Sequence, residues 1–117
     1  MRAILLSTDL MVVSHVRGAA ARTGATLDTA SNADDAAAIC QREQADLLLV
    51  DLATPVSALS VFVNRLKGDA AAAPTIVAFG PHVHAERLEA ARQAGCDTVI
   101  SRGQFFAGID GLLRSGG

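Results

Sequence analysis

Five short apolar runs recur along the chain, and each is followed by a longer segment in which apolar residues return every three or four positions. Short apolar runs bounded by polar residues are typical of buried strands, and the longer spacing is typical of helices with one buried face. The predicted strands are residues 2–6, 25–30, 47–51, 75–79 and 98–100. The predicted helices are residues 11–23, 36–44, 59–67 and 84–94, with a fifth helix that buries Phe105, Ile109 and Leu112.

This alternation of strand and helix with short connections requires a parallel sheet with right-handed crossovers and helices on both faces. The second strand alternates in polarity rather than running apolar, as a half-exposed edge strand does. The predicted fold is therefore a doubly wound, flavodoxin-like α/β domain with five parallel strands in the order 2-1-3-4-5. Ser31, followed three residues later by Asp34, predicts the N-terminal cap of the second helix. Residues 68–73 are expected to form a loop or a frayed helix end.

The composition narrows the class of protein further. A chain of 117 residues predicts a single domain over residues 1–117, with residues 115–117 as a tail or linker. Ten basic and twelve acidic residues leave no basic stripe, so nucleic-acid binding is not expected. No apolar stretch approaches the roughly 20 residues that span a bilayer, so we expect a cytoplasmic protein without a membrane segment. Cys40 and Cys96 have no Cys or His at metal-ligand spacing and are predicted to be buried free thiols.

Polar residues cluster where the predicted strands end. In an open parallel sheet, sites form at the carboxyl ends of the strands, at the point where the strand order reverses. The first and third strands meet there, so the expected site-lining residues are Ser7, Thr8, Asp9 and Asp51, flanked by Gly80 and Arg102. A single aspartate after a strand can also do no more than start a turn.

The chain resembles the receiver domain of bacterial two-component response regulators. The resemblance covers residues 2 to about 114 and rests on Leu49-Val50-Asp51 followed by Pro55, on Gly95-Cys96-Asp97 before the fifth strand, and on the repeated alternation. It implies that Asp51 is the phosphoacceptor, that a histidine kinase supplies the phosphoryl group, and that Mg²⁺ neutralises the charge that develops during transfer.

The chain departs from this pattern at most of the other site positions. Receivers end the first strand with two acids, where this chain has Ser7 and Thr8; Asp9 comes one place later, so Mg²⁺ binding by Asp9 and Asp51 is expected to be weak. The resemblance also places Gly80 where receivers carry a hydroxyl residue and Arg102 where they carry lysine. It places Val99 where receivers carry an aromatic residue that moves inward on phosphorylation. We expect Arg102 to reach Asp51 or Asp9 and to balance part of its charge.

These departures favour a pseudo-receiver, a non-enzymatic signalling module that works through protein contacts with absent or weakened phosphorylation of aspartate. The expected partners are a histidine kinase, an output domain or a second copy of the chain. The expected partner surface is the fourth helix, fifth strand and fifth helix, including Val99 and Phe106. Phe106 points off the buried face of its helix and is either an exposed anchor or packed under the fourth helix or a loop.

Two other functions stay open on the sequence. The first is a working receiver in which Asp51 is phosphorylated slowly with the help of Asp9 and Arg102. The second is a small flavodoxin-like enzyme or nucleotide binder, against which stand the lack of a glycine-rich loop after the first strand and of a paired nucleophile and base. His82 and His84 are the only candidate bases near the site, and both are expected to be solvated.

Overall fold

The computed structural model describes residues 1–56, 58–68 and 73–115, and its helices and strands alternate along the chain as predicted. The strands are β1 (Arg2–Leu6), β2 (Thr26–Ala30), β3 (Leu47–Asp51), β4 (Thr75–Gly80) and β5 (Thr98–Ser101). The helices are α1 (Leu10–Thr23), α2 (Ala33–Glu43), α3 (Leu59–Lys67), α4 (Ala85–Ala94) and α5 (Arg102–Ser115). Most of the predicted loop at residues 68–73 lies outside the described residues, as do Gly116 and Gly117 of the predicted tail.

The strands form one parallel sheet in the order β2-β1-β3-β4-β5, which confirms the predicted fold class and strand order. Every residue of the central strand β3 is buried, whereas β2 is partly exposed over most of its length, as expected for an edge strand. Leu6 pairs with Val50, and Asp51 pairs with Phe79. The register therefore brings the ends of β1, β3 and β4 to the same edge of the sheet.

Successive residues of each strand point to opposite faces, so the sheet carries two separate cores. One core packs the sheet against α2, α3 and α4, and the other packs it against α1 and α5. The α1 and α5 core contains a stacked pair of rings, Phe79 and Phe105, whose centroids lie 3.7 Å apart with an interplanar angle of 5°. Both of these phenylalanines are fully buried among aliphatic side chains.

The predicted cap of α2 was one residue off. Asn32, not Ser31, is the capping residue: its Oδ1 accepts a hydrogen bond from the Asp35 N–H at 2.8 Å, and its Nδ2 donates to the Asp35 carboxylate at 3.0 Å. The first of these hydrogen bonds satisfies a free N–H group in the first turn of α2, and the second holds the Asn32 side chain in the capping position. An asparagine three residues before an acid fits the same capping pattern as a serine, so the sequence pattern alone did not separate the two.

Helix α5 begins at Arg102, directly after β5, and buries a slightly different set of residues from the predicted one. Its start is fixed by Ser101 and Gln104: the Ser101 Oγ accepts from the Gln104 N–H, and the Gln104 Oε1 accepts from the Ser101 N–H. This is a capping box, and the Ser-x-x-Gln spacing was available in the sequence. Leu113, rather than Leu112, completes the buried stripe: positions three and four residues after Ile109 both lie on that face, and the packing against the sheet leaves Leu112 at its half-buried edge.

Both cysteines are free, as predicted, although only one is fully buried. Cys40 is buried, and this burial raises the pKa of its thiol to about 11. Cys96 is half-buried, and burial likewise raises the pKa of its thiol. Neither thiol is therefore ionised near neutral pH. Within the described part of the chain, no helix has the length and apolar character needed to cross a membrane.

Candidate functional site

The side chain of Asp51 lies at the carboxyl end of β3 and is only 2% exposed. One carboxylate oxygen, Oδ2, accepts a hydrogen bond from the Ser7 hydroxyl at 2.8 Å, and the other, Oδ1, accepts from the Ala53 N–H at 3.0 Å. A buried carboxylate is costly unless its oxygens are hydrogen-bonded. Both oxygens of Asp51 are thus satisfied by groups of the protein itself.

Ser7 connects Asp51 to the start of α1. Its hydroxyl is buried, donates to Asp51 and accepts a hydrogen bond from the Asp9 N–H at 3.1 Å. A serine hydroxyl has one hydrogen to donate, so that donor is fully used by the contact with Asp51. The loop after β1 is therefore fixed directly to the end of β3.

A second hydrogen bond ties the same two loops together and involves a residue that the sequence reasoning missed. The Thr8 N–H donates to the hydroxyl oxygen of Thr54 at 3.1 Å, and Thr54 is only 3% exposed. The Thr54 N–H in turn donates to the Asp51 carbonyl at 2.9 Å, which closes a tight turn after β3. Thr54 stands three residues after Asp51, and a hydroxyl residue so close to the predicted site aspartate was the sequence signal that could have found it.

The place beside Gly80 is filled by side chains from two other elements. A Cβ atom added to Gly80 would lie 3.3 Å from Cβ of Leu52 and 3.6 Å from Cδ2 of Leu88. Leu52 follows Asp51 directly, and its N–H donates to the Phe79 carbonyl at 2.9 Å, which holds it over the end of β4. The position that a hydroxyl residue takes in receivers is therefore next to an apolar side chain here, which the sequence reasoning did not predict.

Arg102, the first residue of α5, reaches Asp9 and not Asp51. Its Nη2 lies 2.9 Å from Oδ2 of Asp9, while Oδ1 of Asp9 accepts from the Met11 and Val12 N–H groups and so caps α1. The expectation of an arginine contact is thus confirmed for Asp9 and wrong for Asp51. The physical reason is that the helix cap holds the Asp9 carboxylate at the mouth of the site, whereas Asp51 is buried beneath the loop.

The Asp9 carboxylate is kept ionised by these neighbours. The hydrogen bond from Arg102 is the largest cause that lowers the pKa of Asp9, and the hydrogen bond from the Met11 N–H adds to it. A carboxylate at a helix N-terminus also interacts favourably with the positive end of the helix dipole. Asp9 is consequently committed to a cap and an ion pair.

Phe106 is neither a free anchor nor packed under α4. Its ring is half-buried beside α1, with the His15 ring at a centroid distance of 4.5 Å and the Arg102 guanidinium carbon 5.7 Å from the ring centroid. The reason is that α1 and α5 pack side by side on one face of the sheet, so a residue off the buried stripe of α5 meets α1. Val99, also assigned to the partner surface, is half-buried against the opposite core.

The donor set at this site is a poor one for a resident Mg²⁺ ion. Among the residues that the structure describes, no group of three or more His, Cys, Asp or Glu side chains could hold a metal. Mg²⁺ requires near-octahedral oxygen ligands, usually with one or two carboxylates free to coordinate. The Asp51 oxygens face two hydrogen-bond donors, and Asp9 is occupied by Arg102 and the helix cap. His82 and His84 are exposed in the loop after β4.

Arg102→Ala is expected to raise the carboxyl pKa of Asp9 toward its ordinary value without reaching it, because the cap from Met11 remains. The folded-state pKa of Asp9 is depressed, so its stabilising contribution is present above the unfolded value of 3.8 and is lost as the pH falls through the folded value. The stability difference between the variant and the unmodified protein should therefore shrink below pH 3.8. Carboxyl-detected NMR titration of Asp9 measures the shift.

Arg114→Ala is the matched control, since it removes an arginine from the other end of α5. An Asp9 pKa that moves equally in both variants would show that general charge, and not the Arg102 contact, is responsible.

Comparisons with known proteins add a likeness of fold. No protein-family model and no curated protein matches the chain. Among solved structures, a response regulator from Hahella chejuensis superposes with a TM-score of 0.82 at 17% identity, covering 98% of this chain and 93% of that one. A chemotaxis response regulator of Vibrio cholerae matches with a TM-score of 0.79 at 15% identity, covering 98% of this chain and 97% of that one.

A third match is informative because of its ligand. The receiver domain of a sensor histidine kinase from Pseudomonas aeruginosa, which holds a magnesium ion in its active-site cleft, gives a TM-score of 0.79 at 16% identity. The match covers 97% of this chain and 93% of that one. At such low identity these likenesses concern the backbone, and they show that this chain has the receiver fold.

Proposed function

We propose that this protein is a receiver-like signalling module that acts through protein contacts and whose aspartate is phosphorylated weakly or not at all. The observation that carries the proposal is the hydrogen bond from the Ser7 hydroxyl to Oδ2 of Asp51. Ser7 stands where the resemblance to receivers expects a metal-binding acid. A hydroxyl that donates its hydrogen to the acceptor carboxylate occupies one of its oxygens and offers no negative charge to a cation.

Two further contacts support the same proposal. The cation that could have assisted transfer, Arg102, is paired with Asp9 rather than with Asp51. Gly80, at the end of β4, has no hydroxyl group that could follow a phosphoryl group inward, and Leu52 lies beside it. A ligand shifts a conformational equilibrium only through interactions that differ between the two states, and the side chains expected to provide that difference are missing.

The proposed partners are proteins of the same signalling class, a histidine kinase or an output domain, or a second copy of the chain. We assign their surface to α4, β5 and α5. Phe106 contributes less to it than the sequence predicted, because much of its ring faces α1. We expect this module neither to bind nucleic acid nor to act as an enzyme.

Acetyl phosphate in the presence of Mg²⁺, followed by intact-mass measurement, tests the proposal. We expect little or no phosphoryl adduct, because the hydrogen bonds from Ser7 and Ala53 stabilise the Asp51 carboxylate and make it a weaker nucleophile, and because Arg102, which could neutralise charge, is paired with Asp9. The control is a receiver domain that is known to accept phosphate from the same reagent under identical conditions.

An adduct of one phosphoryl group that forms as fast as on the control receiver domain and disappears in Asp51→Asn would contradict the proposal and favour the working receiver. An adduct that persists in Asp51→Asn would place the modification elsewhere and would leave Asp51 without the role of acceptor.

A further inference from the structure

An open cleft lies between the loop after β3 and the outer side of α4, beside the buried Asp51. Its volume is about 330 Å³. Ligand sites for small molecules usually measure about 300–1,000 Å³, so the cleft is at the lower end of that range. The described residues that line it are Leu52, Ala53, Thr54, Pro55, Val56, Leu59, Arg87 and Ala90.

The lining of this cleft is mostly apolar for a physical reason. Leu52, Val56 and Leu59 pack partly against the core under α4, and each keeps part of its side chain outside that core. Ala90 on the facing helix is exposed and has only a methyl group, so the wall of α4 stays recessed opposite them. The result is a concave apolar surface in contact with solvent, whose burial by a ligand would be favourable.

Of the described residues in the lining, Arg87 alone carries a charge. Its guanidinium makes no hydrogen bond or ion pair with the described part of the protein, whereas Arg92 on the same helix is paired with Glu89. Arg87 lies in the first turn of α4, and the capping residue His84 provides no side-chain hydrogen bond to that turn. The unpaired guanidinium favours an anionic group at this rim, whereas the positive end of the helix dipole already has the acid Glu86 in the same turn.

We propose that the cleft binds a small amphiphilic carboxylate, with its apolar body against Leu52, Val56 and Leu59 and its carboxylate paired with Arg87. The volume accommodates a body of roughly ten methylene-sized groups at about 30 Å³ each. This site is separate from the carboxylate of Asp51 and does not depend on whether Asp51 is phosphorylated. Its ligand contacts Leu52, whose side chain lies beside Gly80 and whose N–H donates to the Phe79 carbonyl. The ligand therefore touches the residue that links the end of β3 to the end of β4.

NMR titration of the ¹⁵N-labelled chain with decanoate tests the assignment, and decanol serves as the neutral probe of matched length. We expect saturable shifts of the amides of Leu52, Val56 and Ala90 with decanoate below its micelle concentration. Decanol should bind about fivefold to tenfold more weakly, because it cannot make the charge-assisted hydrogen bond to the guanidinium. The acetyl phosphate assay is independent of this titration, so either result can fail without the other.

Three variants separate the parts of the proposal. Arg87→Gln should abolish the preference for decanoate over decanol, and Ala90→Leu should weaken both probes by filling the cleft while keeping a good helix former at an exposed position. Arg92→Gln is the matched control and should change neither the preference for decanoate nor the affinity of either probe. Saturable binding that persists unchanged in Ala90→Leu, equal binding of both probes, or no saturable shift would each overturn the assignment. Binding of an acidic, leucine-containing peptide but not of decanoate would make the cleft a protein-docking groove and would also overturn it.

Discussion

Phe105→Ala is expected to lower the free energy of unfolding by about 3–5 kcal/mol, the range found when a fully buried phenylalanine is truncated to alanine. Phe105 is fully buried and stacks on Phe79 at 3.7 Å, so truncation removes both a large apolar area and a ring contact. Domains of this size have a total stability of about 5–15 kcal/mol, so the loss is a large fraction of it. Urea denaturation followed by far-UV circular dichroism measures the effect.

Phe106→Ala is the matched control, because it makes the same chemical change one residue along α5. Phe106 is only half-buried between α1 and α5, so we expect a loss clearly smaller than that for Phe105. Should Phe105→Ala fail to fold, the milder Phe105→Leu is expected to cost less than Phe105→Ala, because it leaves a smaller cavity, and it keeps the comparison measurable. Equal losses for Phe105→Ala and Phe106→Ala would contradict the orientation of α5 described above.

Ser7→Asp is expected to destabilise the metal-free protein by about 4 kcal/mol and to create a response to Mg²⁺ that the unmodified protein lacks. The Ser7 Oγ lies 2.8 Å from the Asp51 carboxylate, so the substitution brings two negative charges together. At about 4 Å and an effective dielectric constant of about 20, their repulsion is worth roughly 4 kcal/mol. The same two carboxylates form a ligand pair for Mg²⁺. A Mg²⁺ concentration ten times its dissociation constant would restore about 1.4 kcal/mol of the free energy of unfolding.

The measurement is the urea midpoint of each protein with EDTA and with Mg²⁺. Ser7→Asn is the control of similar size without the charge, and we expect its midpoint to be the same in both buffers. If Mg²⁺ stabilises the unmodified protein as much as it stabilises Ser7→Asp, the existing residues already hold the ion. That result would contradict the conclusion that the hydrogen-bonded Asp9 and Asp51 are poor ligands for Mg²⁺.

The sequence determined the fold because the fold depends on features that repeat over many residues. Short apolar runs of strands alternate along the chain with the three-to-four-residue apolar spacing of helices. This alternation leaves few possible topologies other than a parallel sheet with right-handed connections. The polarity of β2 then placed it at an edge, and the strand order followed. The position of Asp51 at the carboxyl end of β3 is a consequence of the same pattern, since it is the first polar residue after a buried run.

Details that depend on one residue were less accessible. Leu112 and Leu113 are equally apolar, and only the packing of α5 against the sheet placed Leu113 in the core and Leu112 at its edge. Asn32 and Ser31 are both good caps, and the end of β2 together with the start of α2 decided between them. The start of α5 was different, because the Ser101 and Gln104 spacing is a recognisable sequence signal.

The neighbours of Asp51 were decided by the tertiary structure alone. The hydrogen bond from Ser7 joins residues 44 positions apart in the chain, and the ion pair of Asp9 with Arg102 joins residues 93 positions apart. Such contacts require atoms within about 3 Å, a precision that depends on loop paths and helix caps rather than on periodicity. The sequence thus placed an aspartate at the edge where chemistry occurs in this fold. The structure decided between the two acids that the sequence offered to Arg102, which pairs with Asp9 at the helix cap, and it showed that Ser7 donates a hydrogen bond to Asp51.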